Sequence, residues 1–270
     1  MKELVAILGA GESGVGAAIL AQKQGCEVIV SDLGTIKEKY RNILSAYNIA
    51  FEAGCHSEEK ILAASLVVKS PGIPETAPLV KKLKAQGTPV LSEIEFGGRF
   101  SNAKTICITG SNGKTTTTLL TYHILKNAGL NVGLAGNVGK SYAWQVAEED
   151  FDVYVIELSS FQLDGMYEFK ADVAVLMNIT PDHLDRYAYE MQNYIDSKFR
   201  ILQNQTASDY FVYCADDEII QKEIQKREII PVQLPFGLEE AAGPGAGVRD
   251  NRIIINFNQN QFSMSILDLS

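Results

Sequence analysis

Short apolar runs of strand length alternate with longer amphipathic segments through most of this chain of 270 residues. The runs are too short for buried helices, whereas the segments between them have helical length and spacing. Alternation of this kind predicts βαβ units, and therefore an α/β fold built on open parallel sheets. The first series predicts strands at residues 4–8, 27–31 and 66–70 and helices at 13–24 and 36–47.

A second series of the same kind begins near Lys104. It predicts strands at 105–109, 131–135, 152–157, 173–178, 210–214 and 229–233, with helices at 114–128, 141–149 and 190–203. A loop is expected at 242–247, followed by a hairpin of strands 252–257 and 262–267. The glycine pair Gly97-Gly98 and the polar pair Ser101-Asn102 interrupt the pattern at 93–102. This break predicts a Rossmann-like domain at 1–95 and a P-loop-type α/β domain at 96–270.

Composition excludes some classes of protein. The 24 Lys and Arg against 33 Asp and Glu give a net charge of −9, which disfavours nucleic-acid binding. No apolar stretch approaches the roughly 18 residues of a membrane helix, so we expect a cytoplasmic protein without a membrane partner. None of the cysteines forms a CxxC pair, which predicts buried free thiols at Cys26, Cys55, Cys107 and Cys214.

The strongest motif is Thr109-Gly110-Ser111-Asn112-Gly113-Lys114-Thr115-Thr116, which follows an apolar run and opens a predicted helix. Glycines allow a phosphate to approach the backbone, and a helix N-terminus supplies free N–H donors. Lys114 would neutralise phosphate charge, and the Thr115 hydroxyl suits Mg²⁺. The alternative is a glycine-rich turn that only starts a helix. The spacing is shorter than in the general P-loop pattern, which indicates a narrower family.

Glu157 ends the apolar run 152–157, at the position where a nucleotide fold places a carboxylate for the metal. A strand-end glutamate that faces solvent is the alternative interpretation. The presence of Lys114 in the preceding loop favours the metal-binding role.

A second glycine motif, Gly9-Ala10-Gly11-Glu12-Ser13-Gly14, lies between the first predicted strand and helix, and Asp32 ends the next strand. This pattern is typical of dinucleotide binding, so an NAD-dependent oxidoreductase is one hypothesis. The pattern requires only a ligand whose diphosphate lies at a helix N-terminus and whose ribose or base lies near an acidic side chain. A UDP-sugar satisfies both requirements equally well.

Several motifs in order resemble the Mur ligase family. The run 109–116 resembles the ATP loop of Mur ligases and folylpolyglutamate synthetases. Gly136-Asn137-Val138-Gly139 is similar to a family turn, and Ser70-Pro71-Gly72-Ile73 to its substrate loop. Glu157-Leu158-Ser159-Ser160-Phe161-Gln162-Leu163 resembles the members that add D-glutamate. Asn178-Ile179-Thr180-Pro181-Asp182-His183-Leu184-Asp185-Arg186 resembles a further motif, and Lys198 follows at the family's spacing.

The resemblance implies roles for these positions. Glu157 and Thr115 would hold one Mg²⁺ with the ATP phosphates, and His183 and a carbamylated Lys198 would hold a second. Lys114, His183 and Lys198 would be the catalytic residues. The residues implied for binding the UDP-substrate are Glu12 and Ser13 near the diphosphate, Asp32 near the uridine, Ser70, Pro71 and Gly72 in the substrate loop, and Asn137, Ser159 and His183 at the muramoyl-alanine end.

The implied activity is an ATP-dependent amide ligase of peptidoglycan synthesis. It would join D-glutamate to UDP-N-acetylmuramoyl-L-alanine through an acyl phosphate, as a monomer with ATP as co-substrate. The resemblance implies a third domain that binds the amino acid, and we expect it to be absent from this sequence. We therefore expect the chain alone to bind the UDP-substrate without turning it over. A folylpolyglutamate synthetase-like ligase and the oxidoreductase are the alternatives.

Overall fold

The chain forms two β-sheets flanked by helices in a computed structural model that describes residues 2–239 and 243–269. The strands of the first sheet are β1 (Leu4–Leu8), β2 (Glu27–Asp32), β3 (Ala50–Ala53), β4 (Leu66–Lys69) and β5 (Val90–Leu91). They are all parallel, in the order β3-β2-β1-β4-β5. The helices of this part are α1 (Glu12–Lys23), α2 (Glu38–Ala46), α3 (Glu58–Leu62), α4 (Pro78–Ala85) and α5 (Glu93–Gly98).

The second sheet contains β6 (Lys104–Thr109), β7 (Val132–Gly136), β8 (Val153–Glu157), β9 (Val173–Leu176), β10 (Tyr210–Cys214), β11 (Val232–Phe236), β12 (Gly245–Arg249), β13 (Arg252–Phe257) and β14 (Asn260–Ser265). Its order is β14-β13-β12-β11-β10-β9-β6-β8-β7. The pairs β12-β13 and β13-β14 are antiparallel, and the other neighbouring strands are parallel. The helices are α6 (Lys114–Asn127), α7 (Tyr142–Glu148), α8 (Ser160–Asp164), α9 (Met191–Phe199) and α10 (Glu218–Gln225), with 3₁₀ turns at Leu184–Tyr187, Arg200–Leu202 and Ile266–Leu269. Within the described residues, no helix is long and apolar enough to cross a membrane.

The chain order of the strands positions the two glycine loops. β1 lies between β2 and β4, and β6 lies between β9 and β8. Each is the point where the order of a parallel sheet reverses, which leaves a crevice at the carboxyl ends of the strands. The loops at Gly9–Gly11 and at Gly110–Gly113 both leave the sheet at such a crevice.

Helices α1 and α5, which belong to the first sheet, pack against α7, which belongs to the second, and so connect the two sheets. Helix α1 packs against α7, and a Cβ on Gly16 would lie 2.1 Å from Ser141 Oγ. Buried Glu93 accepts hydrogen bonds from Ser141 Oγ and Ala143 N, both at 2.6 Å. Phe96 and Ala143 belong to the apolar core of the first sheet, although both follow its last strand in sequence.

The α/β class with parallel sheets is confirmed, and most predicted strands match within two residues. Three details were wrong. The strand expected at 229–233 lies at Val232–Phe236, and the loop expected at 242–247 becomes strand β12 from Gly245, while Ala242 lies outside the described residues. Of the four free cysteines only Cys107 is buried, and Cys55 is exposed. The division at residues 95 and 96 stays a prediction, and it falls inside α5.

Candidate active site

The loop between β6 and α6 has the backbone shape that its glycines allow. Gly110 has φ +155° and Gly113 has φ +81°, a left-handed value that a residue with a Cβ adopts only at a cost. A Cβ on Gly110 would also stand 3.0 Å from Met177 Cβ. Helix α6 begins after Gly113 without a side-chain cap, so its first turn presents free N–H groups to an anion.

One asparagine at the end of the neighbouring strand holds this loop. Asn178 Oδ1 accepts from Ser111 N at 3.0 Å and from Asn112 N at 2.8 Å, and its Nδ2 donates to Asn112 O at 3.0 Å. The Ser111 hydroxyl adds a donation to Thr180 O at 2.9 Å and lies 2.9 Å from Tyr194 OH. The loop conformation is therefore fixed by β9 and α9 as well as by its own glycines.

Two lysines converge on one carbonyl of the loop. Lys114 Nζ donates to Gly110 O and Ser111 O, both at 2.9 Å, and Lys198 Nζ donates to Gly110 O at 2.8 Å. Lys198 is only 2% exposed. Burial, helped by the charge of Lys114, lowers the pKa of the Lys198 amine from 10.5 to about 7. A large fraction of Lys198 is thus neutral at physiological pH.

Glu157 ends β8 beside the same loop and is 1% exposed. Its Oε1 accepts from Asn137 Nδ2 at 2.8 Å, whereas its Oε2 is buried and has no partner among the described residues. An unpaired buried carboxylate oxygen is costly unless a cation or donor meets it. Hard Mg²⁺ is bound by such oxygens together with phosphate oxygens and waters, so Glu157 fits one Mg²⁺ of a bound nucleotide.

The described residues contain no cluster of three or more His, Cys, Asp or Glu side chains with the geometry to hold a metal alone. A metal at Glu157 would therefore need oxygens from a ligand and from a hydroxyl such as that of Thr115, in the exposed first turn of α6. Nucleotide-bound Mg²⁺ is held in this way, by one or two carboxylates and the phosphates.

The glycine loop after β1 lies beside a cavity of about 560 Å³. Gly9, Gly11, Asp32 and Ser70 line it, together with apolar side chains that include Leu33 and Ile73. The Asp32 carboxylate accepts from Ala10 N and from Gly34 N, both at 2.7 Å, and so fixes the loop. A cavity with apolar walls and few fixed polar groups suits a flat organic ring.

A smaller cavity of about 260 Å³ connects the two parts of the chain. It is lined by Pro71 from the first part and by Phe161 and Arg186 from the second. Arg186 stacks on the Phe161 ring at 4.3 Å and donates to Pro71 O at 3.5 Å. A ligand that extends from the loop after β1 towards β8 would pass these side chains.

Comparison with known families decides the classification. Residues 108–267, more than half of the chain, match the Mur ligase middle domain, and residues 3–92 match the Mur ligase MurD-like N-terminal domain. The chain belongs to the Mur ligase family.

Curated Mur ligases from several bacteria are similar along the whole chain. The UDP-N-acetylmuramoylalanine–D-glutamate ligases of Bacteroides fragilis and Bacteroides thetaiotaomicron are 59% and 60% identical over 270 residues, which is 98% of this chain and 61% of either relative. The ligase of the same name from Christiangramia forsetii is 51% identical over 270 residues. The chain thus spans about 61% of the length of these relatives.

Solved Mur ligase structures share the fold. The UDP-N-acetylmuramate:L-alanyl-gamma-D-glutamyl-meso-diaminopimelate ligase from Neisseria meningitides has a TM-score of 0.65 at 20% identity and covers 97% of this chain, which covers 86% of that one. The UDP-N-acetylmuramate-alanine ligase from Thermotoga maritima has a TM-score of 0.56 at 18% identity, with 98% of this chain and 60% of that one aligned.

The remaining positions expected from the Mur ligase motifs are spread around the two crevices. His183 is 59% exposed, with φ +49° and its ring 5.4 Å from that of Phe161. Ser159 forms a capping box with Gln162 at the start of α8, so its hydroxyl is already used in the fold. Asn137 contacts Glu157, as described above. Glu12 and Ser13 are the first residues of α1, Glu12 accepts from Ser141 N at 3.3 Å, and Gly72 is exposed beside Pro71.

Sequence reasoning gave no role to three residues that the structure places at the Mur ligase crevices. Asn178 clamps the loop after β6, Tyr194 lies against Ser111 with its ring centre 4.9 Å from the Lys198 amine, and His56 lines the larger cavity. For Asn178 a signal existed, because a polar residue directly after a buried strand next to β6 must lie at the same sheet edge. Tyr194 and His56 carried no such signal.

Proposed function

We propose that this chain is the substrate- and ATP-binding part of a ligase that adds D-glutamate to UDP-N-acetylmuramoyl-L-alanine in peptidoglycan synthesis. The identity of 59% over 270 residues to a UDP-N-acetylmuramoylalanine–D-glutamate ligase carries this proposal. The match of residues 3–92 to a Mur ligase N-terminal domain favours a UDP-sugar over NAD at the loop after β1.

The UDP end of the substrate would occupy the larger cavity. Its apolar walls suit the uracil ring, and Asp32 lies at the edge of this cavity. The diphosphate would lie at the N-terminus of α1, where Glu12 and Ser13 begin the helix and free N–H groups attract anions. The muramoyl-alanine arm would then extend past Ser70 and Pro71 towards Asn137, Ser159 and His183.

ATP would bind at the loop 110–116. The first turn of α6 would supply backbone donors for the phosphates. The Lys114 ammonium would lie within reach of the same phosphates, because it already contacts carbonyls of the loop. The half-buried Asn178 clamp would hold the loop in one shape before ATP arrives, which would reduce the ordering cost of binding.

We propose two Mg²⁺ ions, which would neutralise the charge of the transferred phosphate when bound. The unpartnered buried oxygen of Glu157 supports the first of them. Glu157 and Thr115 would hold one ion, and His183 and the carbamate of Lys198 the other. The depressed pKa of Lys198 supports the carbamate, because only a neutral amine takes up CO₂. Carbamylation would turn a buried cation into an anionic oxygen ligand.

In the reaction proposed, the L-alanyl carboxylate attacks the γ-phosphate of ATP and releases ADP, which leaves an acyl phosphate. The amine of D-glutamate then attacks the acyl carbon, and inorganic phosphate leaves. Repulsion between carboxylate and triphosphate opposes the first step. Lys114 offsets it with positive charge at the loop, while the crevice holds both reactants in line.

Calorimetric titration with UDP-N-acetylmuramoyl-L-alanine, with NAD as the control ligand, tests the first half of this proposal. Binding of the UDP-sugar and no heat with NAD are expected. Binding of NAD alone would overturn the proposal and favour the oxidoreductase.

A Lys114→Ala substitution tests the division of labour between the two crevices. It should weaken ATP binding in calorimetry and leave affinity for the UDP-substrate unchanged, because among the described residues the Lys114 amine donates only to carbonyls of the loop after β6. Lys126→Ala, at the exposed far end of the same helix, is the matched control and should change neither. Loss of both functions in Lys114→Ala would contradict the proposed separation.

A further inference from the structure

His56 lines the larger cavity from the connection between β3 and α3, and no motif accounts for it. Its Nδ1 lies 2.6 Å from the hydroxyl of Ser31, a fully buried residue of β2. That hydroxyl lies 2.6 Å from Glu52 Oε1. The three side chains therefore form a chain of hydrogen bonds that ends at the cavity wall.

The direction of these hydrogen bonds follows from the state of Glu52. Burial raises the pKa of the Glu52 carboxyl, but hydrogen bonds from Ser31 and Ser57 outweigh burial and bring the pKa below its ordinary value. Ser57 donates from its backbone N at 2.7 Å and from its hydroxyl at 2.6 Å. The carboxylate is ionised and can only accept, so the single proton of the Ser31 hydroxyl points to Glu52.

This direction fixes the tautomer of His56. Because the Ser31 proton is committed to Glu52, Ser31 Oγ can only accept from the ring, and Nδ1 must carry the hydrogen. In the neutral ring Nε2 is then an acceptor. Within residues 2–239 and 243–269, no protein group bonds Nε2, whereas both Asp32 oxygens already accept from backbone N–H groups.

We propose that His56 Nε2 accepts a hydrogen bond from the imide N–H of a uracil ring in this cavity, and so selects uracil as the base. The uracil ring attached to a ribose has one N–H group, between two carbonyls. Cytosine has an unprotonated nitrogen at that position, which would face the Nε2 lone pair. His56 is thus a specificity-determining residue for the nucleotide, positioned by Ser31 and Glu52. The inference rests on the proposed function of the cavity.

Calorimetric titration with UDP and with N3-methyl-UDP tests the contact, using the unsubstituted chain, His56→Ala and Ser31→Ala. His123→Ala, on the exposed face of α6, is the matched control. We expect methylation to weaken binding to the unsubstituted chain about tenfold, the effect of one hydrogen bond with its partner left unpaired. His56→Ala should weaken UDP about tenfold and leave room for the methyl group, so methylation should then have no effect. Ser31→Ala should weaken UDP binding less than His56→Ala does. It removes the acceptor that fixes the hydrogen on His56 Nδ1, but it leaves the imidazole ring in place.

Two results separate the possible failures. Equal methylation effects in His56→Ala and in the unsubstituted chain would place the imide contact elsewhere and overturn the role of His56, with the uridine site retained. Absence of UDP binding to the unsubstituted chain would overturn the proposed function of the cavity, and with it this inference. His123→Ala should match the unsubstituted chain with both ligands.

Discussion

Replacement of Lys198 with methionine should stabilise the folded chain at neutral pH. The pKa of the Lys198 amine falls from 10.5 in water to about 7 in the fold, because the amine is buried near Lys114. The unfolded chain therefore binds this proton more tightly than the folded chain, and stability rises with pH between these two values. Linkage gives a penalty on the folded state of about 4 kcal/mol at pH 7 that shrinks to about 2 kcal/mol at pH 9.

Methionine has a similar length and no charge, so it removes this penalty. It also loses the donation from Nζ to Gly110 O, which costs about 1 kcal/mol. The expected net gain is about 3 kcal/mol at pH 7 and about 1 kcal/mol at pH 9. The variant would gain stability but lose function, because the amine that it removes is the proposed carbamylation site.

Urea unfolding at pH 7 and pH 9 in buffers freed of CO₂ measures these differences. The unsubstituted chain should gain about 2 kcal/mol more than Lys198→Met over this range. Lys23→Met is the control, because Lys23 also donates to a backbone carbonyl, that of Ala147 at 2.8 Å, from an exposed site. Lower stability of Lys198→Met at both pH values, with an unchanged pH dependence, would refute the reasoning.

Three further predictions concern other contacts described above. Burial raises the pKa of the Glu93 carboxyl to about 7, so its contribution to stability is complete at low pH and is lost as pH rises through this value. Glu93→Gln should remove a decline of about 3 kcal/mol between pH 4.5 and pH 7 in urea unfolding, and an unchanged decline would contradict this. Asn178→Ala removes three loop hydrogen bonds and should weaken ATP binding tenfold or more in calorimetry. Asn131→Ala, an exposed amide bonded to one carbonyl, should leave it unchanged, and equal effects of both would argue against the clamp. Gly136→Ala places a Cβ 2.2 Å from a backbone oxygen at φ +98°, whereas Gly129→Ala has φ +82° and open space. Thermal unfolding should rank Gly136→Ala as less stable by about 2 kcal/mol or more, and equal stabilities would refute the clash.

The loop between β6 and α6 and the elements that frame it were predictable from sequence. A continuous apolar run followed by Gly-x-x-Gly-Lys-Thr satisfies a local requirement, because the chemistry of an anion site is encoded within eight consecutive residues. The buried strands β1, β6 and β8 were found for a related reason. Strands covered on both faces carry near-continuous apolar runs, here 4–8, 106–108 and 153–156, which distinguish them from loops.

The elements that sequence reasoning missed depend on distant contacts. Strand β3 has no fully buried residue and β5 has two residues, so neither carries an apolar run. Helix α5 ends in two glycines that suggested a break. It is fixed by the Ser92 cap and by Glu95, whose carboxylate accepts from three backbone N–H groups of 167–169. Partners more than 70 residues away leave no pattern in a single sequence.

The same limit applies to the site. The convergence of Lys114 and Lys198 on Gly110 O brings α9 to the loop after β6, and no spacing rule in the sequence predicts this contact. The orientation of His56 depends on Ser31 and Glu52 from two other strands. The sequence predicts which side chains have the right chemistry, whereas their protonation states require the fold.

The close contact between α1 and α7 has a mechanical consequence. With Gly16 against Ser141 there is no room for even one added carbon atom, and Glu12 and Glu93 both bond Ser141 or its neighbours. A rotation between the two sheets would have to break these bonds and expose the core around Phe96. The crevices at the loops after β1 and after β6 are thus mounted on one stiff frame. In the proposed reaction, a motion that brings the reactants together would come from loops and not from rotation between the sheets. A piece cut at residue 95 would lose part of its own core.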